Sequence, residues 1–143
     1  MGAGRVLGLD VGERWIGVAL SDPSGILASP LTRVGVTSSE ATTEAICQLV
    51  RQYEVDRIVA GLPYSMDGSL GRQAQRVQDF LQTLSLYLEV PIETWDERLS
   101  TVGAEQRMRE AGVGRGKRKG KIDAAAAALI LQGYLDRARY ECE

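Results

Sequence analysis

The chain has 143 residues, a formal net charge of −2 and 44% hydrophobic residues, which suits one compact domain able to bury about two-thirds of its unfolded surface. Histidine is absent, so zinc-hydrolase motifs, Ser-His-Asp triads and imidazole general bases are all excluded. Any acid-base or metal chemistry must use carboxylates, lysine or tyrosine.

From the N-terminus, Met1-Gly2-Ala3-Gly4 leads into a strand without a signal-peptide core, and no apolar run reaches the roughly 18 residues of a membrane span. A cytoplasmic protein is expected, with no membrane partner. Val6 to Val11 is almost continuously apolar, the pattern of a strand covered on both faces. Trp15 to Leu20 reads as its partner across a tight Gly12-Glu13 turn. This hairpin carries Asp10 at its rim. A carboxylate beside such a run costs several kcal/mol of desolvation, on the order-of-magnitude scale, unless it meets a cleft, a cation or a donor. The plainer reading of Asp10 is an Asx-type turn residue.

Ile26 to Val34 is extended in character but interrupted by Pro30, which makes it an edge strand. Thr37-Ser38-Ser39-Glu40 has the form of a capping box, and Ile46, Leu49, Val50 and Tyr53 follow at helical spacing, so a helix runs from about Ser38 to Tyr53. Arg57 to Leu62 then reads as a buried strand, parallel to the first because a helix precedes it. Its end should lie beside Asp10. After a turn-rich loop, Ala74, Val77, Leu81, Leu84 and Leu88 form one stripe on a helix from about Leu70 to Tyr87. Pro91 to Trp95 is a fifth strand that delivers Asp96-Glu97-Arg98 to the end of the sheet.

Beyond it, Ser100 or Thr101 can cap a helix carrying Val102, Met108 and Ala111, with Gly112 placed to stop it. A glycine-interleaved basic loop follows, containing Arg115, Lys117, Arg118, Lys119 and Lys121. A final helix is expected from near Asp123 to about Arg137, its alanines permitting close approach to the sheet. Cys47 and Cys142 match no zinc motif and fit a reducing compartment.

The fold expected is α/β: a five-stranded mixed sheet, three antiparallel strands then two parallel ones, flanked by helices in a single domain over residues 1–143. The carboxyl ends of the parallel strands make the cleft in such sheets. Asp10 and one of Asp96 or Glu97 fall there, and Asp123 can supply a third carboxylate. Alternation turns Asp96 and Glu97 to opposite faces without saying which enters the cleft. Oxygen-only clusters suit Mg²⁺ or Mn²⁺, and a pair of such ions supports phosphodiester hydrolysis without histidine. Each acid also has a structural reading, Asp123 as an N-cap and Glu97 as part of a solvated charge cluster.

Leu9-Asp10-Val11-Gly12, Gly61-Leu62-Pro63-Tyr64-Ser65-Met66-Asp67-Gly68, Asp96-Glu97-Arg98-Leu99-Ser100-Thr101 and Gly120-Lys121-Ile122-Asp123-Ala124-Ala125 together resemble the YqgF family, in order and over almost the whole chain. The resemblance implies a ribonuclease H-like fold and a nuclease maturing the precursor of 16S ribosomal RNA, or a Holliday-junction resolvase acting on branched DNA. It assigns Asp10, Glu97 and Asp123 as the catalytic, metal-binding acids, holding Mg²⁺ or Mn²⁺, two ions once substrate is bound. One departure from the wider superfamily is that Leu62-Pro63 stands where many of its nucleases place an acid at the end of the fourth strand, so Glu97 must reach in from the fifth.

The basic run points to nucleic acid independently. Five of the 17 basic residues fall within residues 115–121, leaving 12 against 19 acidic ones elsewhere. Such a stretch can hold phosphates, with Arg14 and Arg98 adding contacts, or can be a solvated loop. The partner expected is structured RNA or branched DNA, bound by a monomer or a homodimer. Rival classes are a sugar-kinase or actin-like phosphate-binding fold, disfavoured by the single hairpin, and a non-catalytic nucleic-acid-binding module, distinguished by whether a divalent ion binds.

Overall fold

In a computed structural model the sheet has five strands in the order β3-β2-β1-β4-β5. The structure describes residues 4–64, 67–97 and 117–142. Strands β1 (Arg5–Val11), β2 (Trp15–Ser21) and β3 (Ala28–Gly35) pair antiparallel; β4 (Val55–Leu62) and β5 (Ile92–Asp96) continue the sheet in parallel beside β1. Helices α1 (Ser39–Gln52), α2 (Arg72–Ser85) and α3 (Lys117–Cys142) complete the described elements. The mixed sheet and the edge position of β3 agree with expectation. Pro30 is tolerated there, opposite Ala19 and next to a register shift between Val18 and Ala19.

Residue alternation divides the sheet into two faces. Leu7 and Leu9 of β1, Ile16, Val18 and Leu20 of β2, and Ile58, Ala60 and Leu62 of β4 meet Ile46 and Val50 of α1 and Val77, Leu81 and Leu84 of α2 in the main core. Full burial of each large aliphatic side chain there contributes roughly 1.5–3 kcal/mol. The opposite face takes α3, through Ala19, Ala127, Leu131 and Leu135, with Val6, Ala128 and Tyr134 at its margin. Small residues make that contact close: a Cβ on Gly8 would lie 2.8 Å from the Leu131 Cβ and 3.2 Å from the Ala127 carbonyl oxygen. Nothing larger than glycine fits at that crossing without moving the helix.

Helix α1 starts one residue later than a capping box on Thr37 would require. Ser38 is the N-cap, its Oγ accepting from the Ala41 N–H at 3.0 Å, while the Thr37 N–H donates to the Thr42 hydroxyl at 3.1 Å. At the far margin of α3, Arg57 Nη1 donates to Glu93 Oε2 and to the Tyr134 hydroxyl, both at 2.7 Å, and that hydroxyl donates to Glu93 Oε2 at 3.0 Å. Tyr134 also meets Trp95 edge-on at 6.4 Å between ring centroids. These contacts fix α3 against β4 and β5.

The β2–β3 turn is organised by Asp22. Its carboxylate accepts from the Ser24 hydroxyl and from the Leu27 and Ile26 N–H groups, and these bonds hold its pKa down, to about 2 from 3.8. Because the folded value is depressed, the stability Asp22 contributes is present above about pH 3.8 and is lost as pH falls toward 2. An NMR titration should find its carboxyl still ionised at pH 3, and Asp22→Asn should remove the corresponding acid-range loss. A titration midpoint near 4 would mean the turn does not form as described.

The last helix departs from expectation. It begins by Lys117 rather than near Asp123, so Lys117, Arg118, Lys119 and Lys121 belong to a helix and not to a loop. Lys and Arg are good helix formers and a single interior glycine, Gly120, costs only about 1 kcal/mol, which packing of α3 on the sheet offsets. The expected Asp123 N-cap is overturned for the same reason. Arg98, Arg115 and the helix expected between Ser100 and Gly112 lie outside the described residues. Among the described residues, no helix is long and apolar enough to cross a membrane.

Candidate active site

The candidate site forms where β1, β4 and β5 end beneath α3. Asp10 pairs with Gly17 on β2, and one step before it Leu9 pairs with Ala60, which places Asp10 beside Gly61 on β4. Gly8 faces α3, so by alternation Asp10, two residues on, faces α3 as well. A half-buried carboxylate therefore stands between two glycines on the helix-covered face.

Both glycines are notches filled by another acidic residue. A Cβ on Gly61 would lie 2.8 Å from Glu97 Oε2 and 2.9 Å from Glu97 Cγ, so the Glu97 side chain lies directly on β4. Glu93 meets Tyr134 of α3, and alternation from Glu93 through Trp95 carries Glu97 to the same face and leaves Asp96 on the other. A Cβ on Gly17 would overlap the backbone carbonyl of Asp123, which brings that turn of α3 against β2. Asp10, Glu97 and Asp123 thus share one face of the sheet. Asp10 and Glu97 each make further polar or electrostatic contacts.

Asp123 has a partner that the sequence did not reveal. Arg33 Nη1 lies 3.4 Å from Asp123 Oδ2, with the two side chains 27% and 24% exposed, and the Arg33 guanidinium stacks 3.6 Å above the Trp15 ring. Arg33 sits opposite Gly17 in the β2–β3 register, and Trp15 lies two residues before Gly17 on the same face. An arginine on an edge strand ordinarily reads as a solubilising charge. Pairing it across the hairpin with Gly17 and Trp15 was the signal that could have singled it out. Arg14, expected from the sequence to add phosphate contacts, is exposed in the β1–β2 turn.

The donor set is oxygen-only, which suits a hard octahedral ion. Among the described residues, no three of His, Cys, Asp and Glu are close enough to enclose an ion. Magnesium does not need such a cage, because its sites commonly use one or two carboxylates with water and substrate phosphate completing the shell. Carboxylates on one face, brought close to Asp10 by the glycines on each side of it, fit a site of that kind.

A family model described as RuvX, Holliday junction resolvase, matches residues 4–137. The chain belongs to the RuvX family. The "Putative pre-16S rRNA nuclease" of Desulforamulus reducens is 48% identical over 132 residues, 92% of this chain and 96% of that protein. The protein of the same name from Halothermothrix orenii is also 48% identical, over 92% of this chain and 94% of its own length. Among solved structures, Thermus thermophilus RuvC in complex with a Holliday junction substrate aligns with a TM-score of 0.61 at 13% identity, over 94% of this chain and 96% of that one. The fowlpox virus resolvase, in complex with Holliday junction DNA, aligns with a TM-score of 0.58 at 8% identity, over 94% and 98%. At such identities these two speak for the fold alone, and that fold is ribonuclease H-like. With the RuvX membership they bear out the resemblance read from the motifs, and the chain is a nuclease, a hydrolase of phosphodiester bonds.

Proposed function

We propose that this RuvX-family nuclease trims the 5′ end of precursor 16S ribosomal RNA, using Mg²⁺ or Mn²⁺ held by Asp10, Glu97 and Asp123. The observation that carries the assignment is that these acids share the α3 face, with Gly17 and Gly61, which flank Asp10, letting the Asp123 backbone and the Glu97 side chain approach closely. Relatives at 48% identity over almost their whole length favour the RNA substrate.

A bound divalent ion supplies an acidified water and charge neutralisation at the phosphate. The chain's own part is to present carboxylates at fixed positions: Asp10 on the rigid end of β1, Glu97 laid across β4, Asp123 carried by α3. With no histidine in the chain, proton acceptance from water falls to carboxylates and solvent. Helix α3 covers the face, with Ile130 packed against Gly61. The RuvX description as a Holliday junction resolvase supports a second reading, cleavage of branched DNA at the same acids.

Incubating the purified chain with precursor 16S RNA carrying its 5′ leader, and separately with a four-way DNA junction, decides between the two. The expected result is leader removal at a discrete position with the junction left intact. Symmetric nicking of the junction without RNA processing would reverse the assignment.

The basic start of α3 supplies phosphate contacts in this proposal. Replacing Lys117, Arg118 and Lys119 together by alanine should weaken binding to every sequence tested without altering base preference. For duplex DNA the log-log salt slope should flatten by about 0.9 per lost contact, roughly 2 to 3 in total. An unchanged slope would reduce these residues to a solvated surface.

A further inference from the structure

The ion pair between Arg33 and Asp123 puts a fixed positive charge where the proposed metal site needs a negative one. The guanidinium is not a loosely held surface cation. It is stacked 3.6 Å over Trp15, lies 3.4 Å from Asp123 Oδ2, and is only 27% exposed. Gly17, its neighbour across the β2–β3 pair, leaves the helix backbone at Asp123 in direct contact with the strand, so the Asp123 side chain emerges next to Arg33. The stack fixes a planar cation in a way that the point charge and flexible stem of lysine would not.

We infer that Arg33 is a built-in counter-charge for Asp123, which an incoming divalent cation has to displace. It is a positioning residue, acting through Asp123 rather than on the substrate. Before metal arrives, the guanidinium satisfies the carboxylate; a divalent ion at Asp123 then competes with it for the same oxygens and is repelled by it at short range. The tether to Trp15 keeps the displaced arginine on the α3 face, ready to re-form the pair when the ion leaves. Metal affinity is thereby held lower than the acids alone would give, which ties occupancy to the presence of a phosphate that adds further ligands to the ion. The inference rests on Asp123 being a metal ligand.

The test measures Mn²⁺ binding to the intact chain without nucleic acid, by electron paramagnetic resonance, alongside thermal unfolding in EDTA. Arg33→Met and Arg33→Gln both remove the charge and should bind Mn²⁺ about three- to tenfold more tightly, the range expected for losing one partly exposed competing charge. Their unfolding temperature in EDTA should hold or fall slightly, so affinity and stability move in different directions. A purely structural arginine would lower both together. Arg33→Lys keeps the charge but not the stack on Trp15, and its Mn²⁺ affinity should fall between that of the unaltered chain and that of the neutral variants.

Unchanged or weaker Mn²⁺ binding in both neutral variants, with normal binding by the unaltered chain, overturns this inference alone. Failure of the neutral variants as well as the unaltered chain to bind Mn²⁺ removes the metal assignment and this inference with it; undiminished binding by Asp123→Asn removes Asp123 as a ligand and, with it, this inference.

Discussion

Asp10→Asn is expected to abolish Mg²⁺- or Mn²⁺-supported cleavage, lowering the rate on the order of 10³-fold, while the chain stays folded. Asparagine keeps the size and one carbonyl oxygen but loses the charge that a hard cation needs. Thermal stability in EDTA should hold or rise, because the exchange removes a negative charge from a face that also carries Glu97. Glu97→Gln should match this loss, whereas Asp96→Asn should not, since alternation from Glu93 turns Asp96 away from that face. Full activity in Asp10→Asn would exclude Asp10 from the mechanism, and loss in Asp96→Asn with retention in Glu97→Gln would show that the wrong carboxylate carries the site.

Gly17→Ala should damage both stability and activity although it adds only one uncharged methyl group, beside Asp10, Arg33 and the backbone of Asp123. The new Cβ would overlap the Asp123 carbonyl, which is helix backbone and cannot rotate aside, so α3 itself must shift. Forcing a methyl into such a contact costs about 1–3 kcal/mol, which corresponds to a fall in unfolding temperature on the order of 5–10 °C. Cleavage should drop by on the order of 10²-fold, the effect of displacing a reacting group by about 1 Å. Gly35→Ala is the matched control: its Cβ would meet only the Trp15 ring, at 3.4 Å, an ordinary contact. Equal effects at the two positions would mean that glycine is needed for the strand rather than for the helix above it.

The parts of the site that were legible in the sequence are those set by local pattern. Asp10 stood out because an apolar run does not end on a carboxylate without cause, and β4 was placed beside β1 because a helix separated two apolar runs. The choice between Asp96 and Glu97 could not come from alternation alone, because the phase of β5 is fixed only by what it touches. Tyr134 and Gly61 supply that phase in the structure. Family resemblance points to Glu97, and in the structure the Glu97 side chain lies on Gly61, on the α3 face.

Two features were hidden for identifiable reasons. Lysine, arginine and glycine in close alternation look like a loop, yet residues 117–121 lie on a helix that the sheet face holds in place through Ala127, Leu131 and Leu135, downstream of them. Tertiary packing overrides the local signal there. Arg33 has no local signal at all. Its meaning comes from a β2–β3 register that sets it opposite Gly17, and from a helix about 90 positions later in the chain that delivers Asp123 to the same spot.

The central claim, that Asp10, Glu97 and Asp123 on the α3 face hold the divalent ion needed for phosphodiester hydrolysis, is tested most directly by a Mg²⁺ titration of single-turnover cleavage of the leader-bearing RNA. The unaltered chain should show no cleavage in EDTA and a saturable rise with Mg²⁺. Asp10→Asn, Glu97→Gln and Asp123→Asn should each stay near background at every Mg²⁺ concentration while binding the RNA normally. Cleavage that persists in EDTA, or that survives in all three variants, would contradict the claim.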